Sequence, residues 1–408
     1  MKINDSRLAR NFEFVNSQSA TELGCTRLSY SSEDLKVREY ITNELKALGA
    51  QISVDSVGNI RAKYNPANLS TKSLLIGSHI DTVPNGGKYD GLTGTLCSLE
   101  VIRVLHENKA AVKHPIELVI FAEEEGSNFG VTMIGSKYMV KKLTLEDLKK
   151  LYNDQKQTAY DYIRERGFEF HPDEDQYVDG SNELGMIELH VEQGGILDHQ
   201  GLSLGIVQAI TGMNTIQMTV KGVSNHAGTT PMRYRKDSLL AASEMIYKIS
   251  KFTTSYETAV ITVGKISVSP NASNVIAAET IFNVDIRDVV QENIDAISQQ
   301  VEALCYEIAS ENDVEIDIKL IGSSKVVHMD ESLVKLIEEQ AKANQLSNMR
   351  MNSGAVHDNA MLNGIIPTAM IFVPSIGGVS HSPYEDTKFA DIVAGAELLL
   401  FTAARIVI

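Results

Sequence analysis

Residues 115–130, PIELVIFAEEEGSNFG, combine an apolar run with three consecutive glutamates, Glu123 to Glu125, that follow it directly. The run has the length and composition of a buried strand. Comparable runs occur at residues 73–77 (SLLIG) and 367–373 (PTAMIFV), and helical stretches such as LTGTLCSLEVIRVLHENK separate them. Strands that alternate with helices in this way predict an α/β sheet with helices packed on it.

The first predicted helix lies between a serine cap, at Ser31 or Ser32, and a terminating glycine, Gly49. Its apolar residues recur at helical spacing, as Val37 and Ile41 illustrate. We interpret this helix as scaffold.

The pattern of elements changes at about residue 212. From there to about residue 327 the predicted elements follow the order strand, helix, strand, strand, helix, strand. This is the order of a ferredoxin-like α+β domain. We therefore expect two domains: an α/β sheet domain of residues 1–211 and 328–408, and an inserted ferredoxin-like domain of residues 212–327.

Composition and charge argue against several classes of partner. The 408 residues include 53 acidic and 37 basic side chains, and the net charge of −16 disfavours nucleic acid. No apolar stretch approaches the roughly 20 residues of a membrane span, and the segment MKINDSRLARNFEFVN lacks the apolar core of a secretory signal. We expect no nucleic acid or membrane partner and a cytoplasmic location, in which Cys25, Cys97 and Cys305 remain thiols.

Two segments that follow the apolar run at residues 73–77 contain candidate metal ligands. His79 in GSHIDTV follows the strand SLLIG, at the carboxyl end where α/β folds carry their sites. Asp81, two residues later, is suited to orient the imidazole of His79. Asp90 follows in the glycine-rich segment GGKYDG. The structural alternatives are a turn histidine beside a turn aspartate, and a turn or helix-capping role for Asp90.

The other candidates follow later strands. In the turn after its strand, the run of glutamates allows one carboxylate to bind a metal while its neighbour stays free, although a solvated acidic loop is the alternative. His190 in HVEQGGILD and His381 in GGVSHSPYED each follow a short apolar run. Three histidines, one aspartate and one glutamate at strand ends together favour a metal site over separate structural roles.

Eight motifs together extend this interpretation over nearly the whole chain: GSHIDTV, GGKYDG, EEEGSNFG, ELHVEQGGILD, VSNHAGTTPM, NVDIRD, SGAVHDNAM and GGVSHSPYED. In this order they resemble the hydantoinase/carbamoylase family of metal-dependent amidohydrolases. That family includes N-carbamoyl-L-amino-acid hydrolases, β-ureidopropionases and allantoate amidohydrolases. The resemblance implies a catalytic α/β domain and an inserted lid domain that also forms a homodimer.

The same resemblance implies two divalent metal ions per subunit, with Asp90 as their bridging ligand. It pairs the remaining ligands as His79 with His190 and Glu125 with His381. Glu124 is then the general base. Zinc is the expected metal because the site is rich in histidine, and manganese, cobalt or nickel are alternatives for a site with a carboxylate bridge.

Substrate contacts are also implied by the resemblance. His226 in the inserted domain would stabilise the oxyanion, and Arg287 would bind the substrate carboxylate. Asn274, Gln193 and His357 would make further polar contacts with the substrate.

The expected reaction is hydrolysis of a small N-carbamoyl or ureido substrate: an N-carbamoyl-L-amino acid would give the amino acid, ammonia and carbon dioxide. Allantoate hydrolysis or N-acyl amino acid deacylation at the same site is the alternative, and a non-catalytic metal-dependent binding protein is a third. Glu124 argues against the third, since a binding protein needs no free base beside its ligands. Asn128 and Val356 differ from the arginine and glycine of many relatives, which leaves the substrate open.

Overall fold

The computed structural model describes residues 1–408. The chain divides into two compact units, one of Met1–Gln208 with His328–Ile408 and the other of Ala209–Val327. Their thirteen strands are β1 (Gln51–Val54), β2 (Ile60–Tyr64), β3 (Ser73–His79), β4 (Ile116–Phe121), β5 (Glu183–Val191), β6 (Leu204–Ile210), β7 (Gly212–Lys221), β8 (Val260–Ser269), β9 (Glu279–Asp288), β10 (Glu315–Ser324), β11 (Val327–His328), β12 (Asn348–Ser353) and β13 (Thr368–Val373).

The chain also forms twelve α-helices. They are α1 (Asp5–Asn16), α2 (Ser32–Ala47), α3 (Leu92–Glu107), α4 (Ile134–Met139), α5 (Leu145–Leu148), α6 (Ala159–Glu165), α7 (Ile196–Gln200), α8 (Ser238–Ile249), α9 (Gln291–Glu311), α10 (Glu331–Ala343), α11 (Asn359–Leu362) and α12 (Phe389–Val407). Not one of these helices combines the length and the apolar character needed to cross a bilayer.

The helix predicted after Ser31 is α2, and the side chain of Ser31 caps it by accepting a hydrogen bond from the main-chain N–H of Asp34. It is the second helix, because α1 precedes it. The prediction that it comes first in the chain was therefore wrong.

The first unit is built on a sheet of nine strands in the order β1-β2-β4-β3-β5-β13-β6-β11, with β12 paired to β6. Its four central strands, β4, β3, β5 and β13, run parallel to one another. β4, β3 and β13 are buried over their whole length, which explains their almost unbroken apolar sequences. Helix α3 packs against β3 and β5, and α12 packs on α3 and β13.

The second unit contains an antiparallel sheet in the order β10-β7-β9-β8. Burial alternates along β7 and β9, so every second side chain faces the core. Helices α8 and α9 supply the rest of that core, in which Met245 and Val301 lie with Met218, Phe282 and Val284. The predicted mixed α/β fold with a large and a second sheet is therefore confirmed.

The close pairing of β3 with β4 generates a stability prediction. Gly77 on β3 has φ 151°, and a Cβ there would lie 1.9 Å from the carbonyl oxygen of Val119. Gly77→Ala should lower the free energy of unfolding by about 2 kcal/mol or more, because the two backbones must separate. Denaturant unfolding measures this loss.

Gly201→Ala is the matched control. Gly201 has φ 66°, but a Cβ there meets nothing within 4 Å. This variant should lose only the roughly 1 kcal/mol of a left-handed alanine. Equal losses in the two variants would contradict the packing argument.

Candidate metal centre

Loops and strand ends at one edge of the large sheet carry the side chains predicted as metal ligands. His79 is the last residue of β3, and His190 lies one residue before the end of β5. Glu124 and Glu125 follow β4, and His381 follows β13. Because these four strands are parallel, their carboxyl ends deliver the side chains to the same edge.

One donor group consists of His79, Asp90 and His190, all buried. The Nε2 atoms of His79 and His190 lie 3.5 and 3.2 Å from Oδ1 of Asp90. The two Nε2 atoms are 3.5 Å apart. Two imidazole nitrogens and a carboxylate oxygen that face one point form a set suited to a divalent transition metal.

A second donor group consists of Asp90, Glu125 and His381. Nε2 of His381 lies 3.2 Å from Oδ2 of Asp90 and 3.3 Å from Oε2 of Glu125. Asp90 therefore presents Oδ1 to the first group and Oδ2 to the second. This arrangement fits a carboxylate that bridges two cations.

Hydrogen bonds fix the orientation of the two buried imidazoles. Nδ1 of His79 lies 3.0 Å from the carbonyl oxygen of Asp81, and Nδ1 of His190 lies 2.9 Å from that of Val191. When each Nδ1 carries the proton, Nε2 presents its lone pair to the donor group.

Asp81 contacts His79 chiefly through its backbone. Its carboxylate lies 3.6 Å from Nδ1 of His79 and accepts the main-chain N–H groups of Glu124 and Glu125, at 3.4 and 3.2 Å. Asp81 thus joins the histidine at the end of β3 to the glutamates after β4.

The three glutamates occupy different environments. Glu123, with φ 54°, turns away from the donor groups and accepts hydrogen bonds from the main-chain and side-chain nitrogens of Asn128. Glu125 belongs to the second donor group. Glu124 belongs to neither, but its Oε2 lies 3.8 Å from Nε2 of His79. The left-handed turn at Glu123 therefore separates three carboxylates that are adjacent in sequence.

Burial strongly perturbs these carboxyl groups. Desolvation raises the pKa of Glu124 well above its ordinary value, and it raises the pKa of Glu125 to about 7, assisted by the negative charge of Asp90. A hydrogen bond with Asp90 raises the pKa of His381 to about 9. The pocket thus retains protons because its acids lack compensating charge, and divalent cations would supply that charge.

Gln193 and His357 also lie at this centre. Gln193 donates from Nε2 to Oδ2 of Asp90 at 2.7 Å, and its buried Oε1 has no hydrogen-bond partner. The ring of His357 lies 4.5 Å from that of His190, and its Nε2 lies 3.0 Å from Oγ of Ser353. Burial lowers the pKa of His357 well below its ordinary value, so this ring is neutral.

Sequence reasoning missed Glu188, which is fully buried and accepts a hydrogen bond from Ser78 at 2.8 Å. It forms a further group of possible metal-binding atoms with His190 and His357. The signal was present: Glu188 and His190 are two residues apart on β5 and therefore lie on the same face of the strand.

The remaining predicted site residues belong to the second unit. His226 forms an isolated bridge with Val275, and the carbonyl oxygen of Asn274 accepts the N–H of Ala227 at 2.9 Å. The segments that carry His226 and Asn274 are therefore neighbours. Arg287 lies on β9 and donates from Nε to Asp285 at 2.8 Å.

Comparison with known proteins shows similarity over nearly the whole chain. Residues 75–405 match Peptidase family M20/M25/M40. The chain is 31% identical over 402 residues to an N-carbamoyl-L-amino-acid amidohydrolase of Paenarthrobacter aurescens, covering 98% of this chain and 97% of that one. It is 35% identical over 377 residues to an allantoate amidohydrolase of Escherichia coli strain K12, covering 92% and 91%.

A solved structure is similar in fold. The crystal structure of an amidase of the hydantoinase/carbamoylase family from Burkholderia multivorans superposes with a TM-score of 0.92 at 30% identity. The match covers 99% of this chain and 98% of that chain. The similarity therefore includes both compact units.

The raised pKa values generate a prediction for the metal-free protein. Folded His381 keeps its proton up to a pKa of about 9, whereas an unfolded histidine loses it near 6.5. The folded state binds more protons between these values, so stability should fall as pH rises through this window. Glu125, raised from 4.5 to about 7, acts in the same direction at lower pH. Thermal unfolding with a chelator present measures this slope.

Saturating zinc should reduce the slope, because the ion replaces the protons. His381→Gln should reduce it in the chelator, whereas His171→Gln, which changes an exposed histidine near Glu169, should leave it unchanged. A slope that is the same in wild type and His381→Gln would contradict the assignment.

Proposed function

Because this chain belongs to Peptidase family M20/M25/M40, we propose that it is a dinuclear-metal hydrolase that removes the carbamoyl group from N-carbamoyl-L-amino acids. The predicted resemblance to the hydantoinase/carbamoylase family is confirmed. The chain is a hydrolase of carbon–nitrogen bonds in a metal-dependent family. The substrate, the number of ions and the roles of individual residues are the proposal.

The observation that carries the proposal is the shared carboxylate of Asp90, which presents one oxygen to each donor group. The donor set of imidazoles and carboxylates fits zinc first, and manganese, cobalt or nickel as alternatives. Bound ions would lower the pKa of a water molecule and polarise the carbonyl group of the substrate. Asp90 would bridge them, with His79 and His190 on one side and Glu125 and His381 on the other.

Glu124 is the proposed general base. It is buried beside His79 and lies outside both donor groups, so its carboxylate is free to exchange a proton. It would accept the proton of the attacking water and give it to the departing nitrogen. The products would be the free amino acid, ammonia and carbon dioxide.

The second unit would bind the substrate and cover it. We propose that residues 212–327 form a ferredoxin-like lid, which the order of elements and of strands supports. His226 would stabilise the oxyanion, Arg287 would pair with the substrate carboxylate, and Asn274 would make a polar contact, as would Gln193 and His357 of the first unit.

We also propose a homodimer through this unit. The strand β8 lies at the edge of its sheet, and Val260 and Ile266 on it are half exposed. Leu240 and Tyr247 on α8 are also exposed. Apolar side chains beside an open strand edge favour association of two copies.

Allantoate is the second candidate substrate. The E. coli allantoate amidohydrolase is 35% identical to this chain, against 31% for the Paenarthrobacter enzyme. The side-chain nitrogen of Asn128 donates to Glu123 and to the carbonyl oxygen of Ser29, so both of its N–H groups are already paired. Asn128 therefore has no free N–H group to offer to either substrate.

A substrate panel tests the proposal directly. Zinc-loaded and manganese-loaded protein should release ammonia and free amino acid from N-carbamoyl-L-amino acids faster than ammonia from allantoate or amine from N-acetyl amino acids. Ureidopropionate completes the panel as a β-ureido acid, whose carboxylate lies one carbon farther from the ureido nitrogen. Turnover of allantoate with no carbamoyl compound hydrolysed would replace the first candidate with the second.

The proposed base generates a separate prediction. Glu124→Gln should lower kcat by about 10²- to 10⁴-fold, because the amide cannot accept the proton. Bound metal should remain, since Glu124 is not a proposed ligand. Steady-state kinetics and metal analysis on the same sample measure both effects.

Glu123→Gln is the matched control, because Glu123 is the adjacent buried glutamate but faces Asn128. It should keep most of the turnover. Full activity of Glu124→Gln would show that another group moves the proton.

A further inference from the structure

We infer that Glu385 is a positioning residue whose carboxylate joins the loop of Asp90 to the loop of His381 and so sets the geometry of the second donor group. This inference rests on the proposed dinuclear site. Glu385 is not a proposed ligand, and it is only 4% exposed.

One oxygen of Glu385 binds the loop that carries Asp90. Its Oε1 accepts the main-chain N–H of Tyr89 at 2.8 Å and that of Asp90 at 3.1 Å. These two peptide groups lie directly before the α-carbon of Asp90. Their orientation therefore fixes the direction in which the Asp90 side chain leaves the backbone.

The other oxygen binds the loop that carries His381. Oε2 of Glu385 accepts the hydrogen bond of Ser380 Oγ at 2.8 Å, and the same Oγ lies 3.1 Å from Oδ2 of Asp90. Ser380 immediately precedes His381, which has φ 52°. The two loops, almost 300 residues apart in sequence, are thus joined at the edge of the donor group.

The Asp90 loop is shaped around this carboxylate. A Cβ on Gly87 would lie 2.0 Å from the carboxyl carbon of Glu385, so only glycine leaves room for it. The carboxylates of Glu385 and Asp90 both lie within hydrogen-bonding distance of Ser380 Oγ, and two negative charges so close together repel each other. Hydrogen bonding, and not attraction between charges, therefore accounts for the position of Glu385 beside Asp90.

A role in positioning makes a different prediction from a role in stability alone. If Glu385 sets the distance between Asp90 and His381, its loss should weaken the binding of one of the two metal ions. If it only braces the loops, its loss should lower the melting temperature and leave metal affinity unchanged. Groups that orient metal ligands typically change metal affinity by about 10- to 100-fold when they are removed.

The test measures zinc binding by competition with a chromophoric chelator, without substrate and well below the melting temperature. Wild type should bind two ions per chain. Glu385→Ala should bind one of them about 10- to 100-fold more weakly. Glu385→Gln should stay close to wild type, because its amide oxygen accepts the two main-chain N–H groups and its amide nitrogen donates to Ser380.

Gly87→Ala is an independent variant that keeps the carboxylate but displaces it. It should reproduce the weaker binding of Glu385→Ala, and it gives the answer if Glu385→Ala fails to fold. Glu183→Ala is the control for stability, because Glu183 is a buried carboxylate that pairs with Arg61 away from the donor groups. It should lower the melting temperature and keep both affinities.

The outcomes separate this inference from the proposed function. Two tightly bound ions in both Glu385→Ala and Gly87→Ala would overturn the positioning role and leave the dinuclear site intact. Binding by Glu385→Gln as weak as that by Glu385→Ala would also overturn it, since charge would then matter and hydrogen bonding would not. Fewer than two ions in wild type would overturn the proposed dinuclear site itself.

Discussion

Repulsion among buried carboxylates governs how the metal centre of this protein is built. Asp90, Glu124 and Glu125 lie together at the carboxyl ends of the central strands, beside three histidines. Burial raises the pKa of both glutamates, so without cations these two side chains tend to stay protonated and uncharged. Such a cluster is favourable when divalent cations neutralise it, and this links the acidic pocket to the metal dependence of the family.

The backbone at the strand ends is shaped to make the side chains converge. Glu123, Gln193 and His381 all have positive φ, at 54°, 59° and 52°. For residues other than glycine this conformation costs about 1–2 kcal/mol each. His381 is itself a proposed ligand, and the other two lie within three residues of one. Local backbone strain therefore accompanies the turns that orient the ligands. Hydrogen bonds from the main-chain N–H groups of Glu124 and Glu125 to Asp81, and from Gln193 to Asp90, then stabilise the arrangement.

The sequence allowed prediction of those features that a local pattern of residues determines. The apolar runs before His79 and Glu123 predicted buried strands of an α/β sheet, and the change of pattern near residue 212 predicted a second domain with strands of its own. Contacts between residues that are distant in sequence could not be predicted in this way, because only the tertiary fold creates them. Asp81 was predicted to orient His79, but the sequence could not show that its carbonyl oxygen lies closer to Nδ1 of His79 than its carboxylate does, at 3.0 against 3.6 Å. Glu385 lies within the motif GGVSHSPYED, but its role was not visible in the sequence because its partners, Tyr89 and Asp90, are nearly 300 residues away.

Anomalous diffraction from crystals grown with zinc, recorded on both sides of the zinc absorption edge, would locate the ions that the two donor groups bind. We expect two peaks per chain, at about 2.0–2.2 Å from the ligand atoms of each donor group, with Asp90 bound to both. A single peak, or peaks away from Asp90, would contradict this expectation.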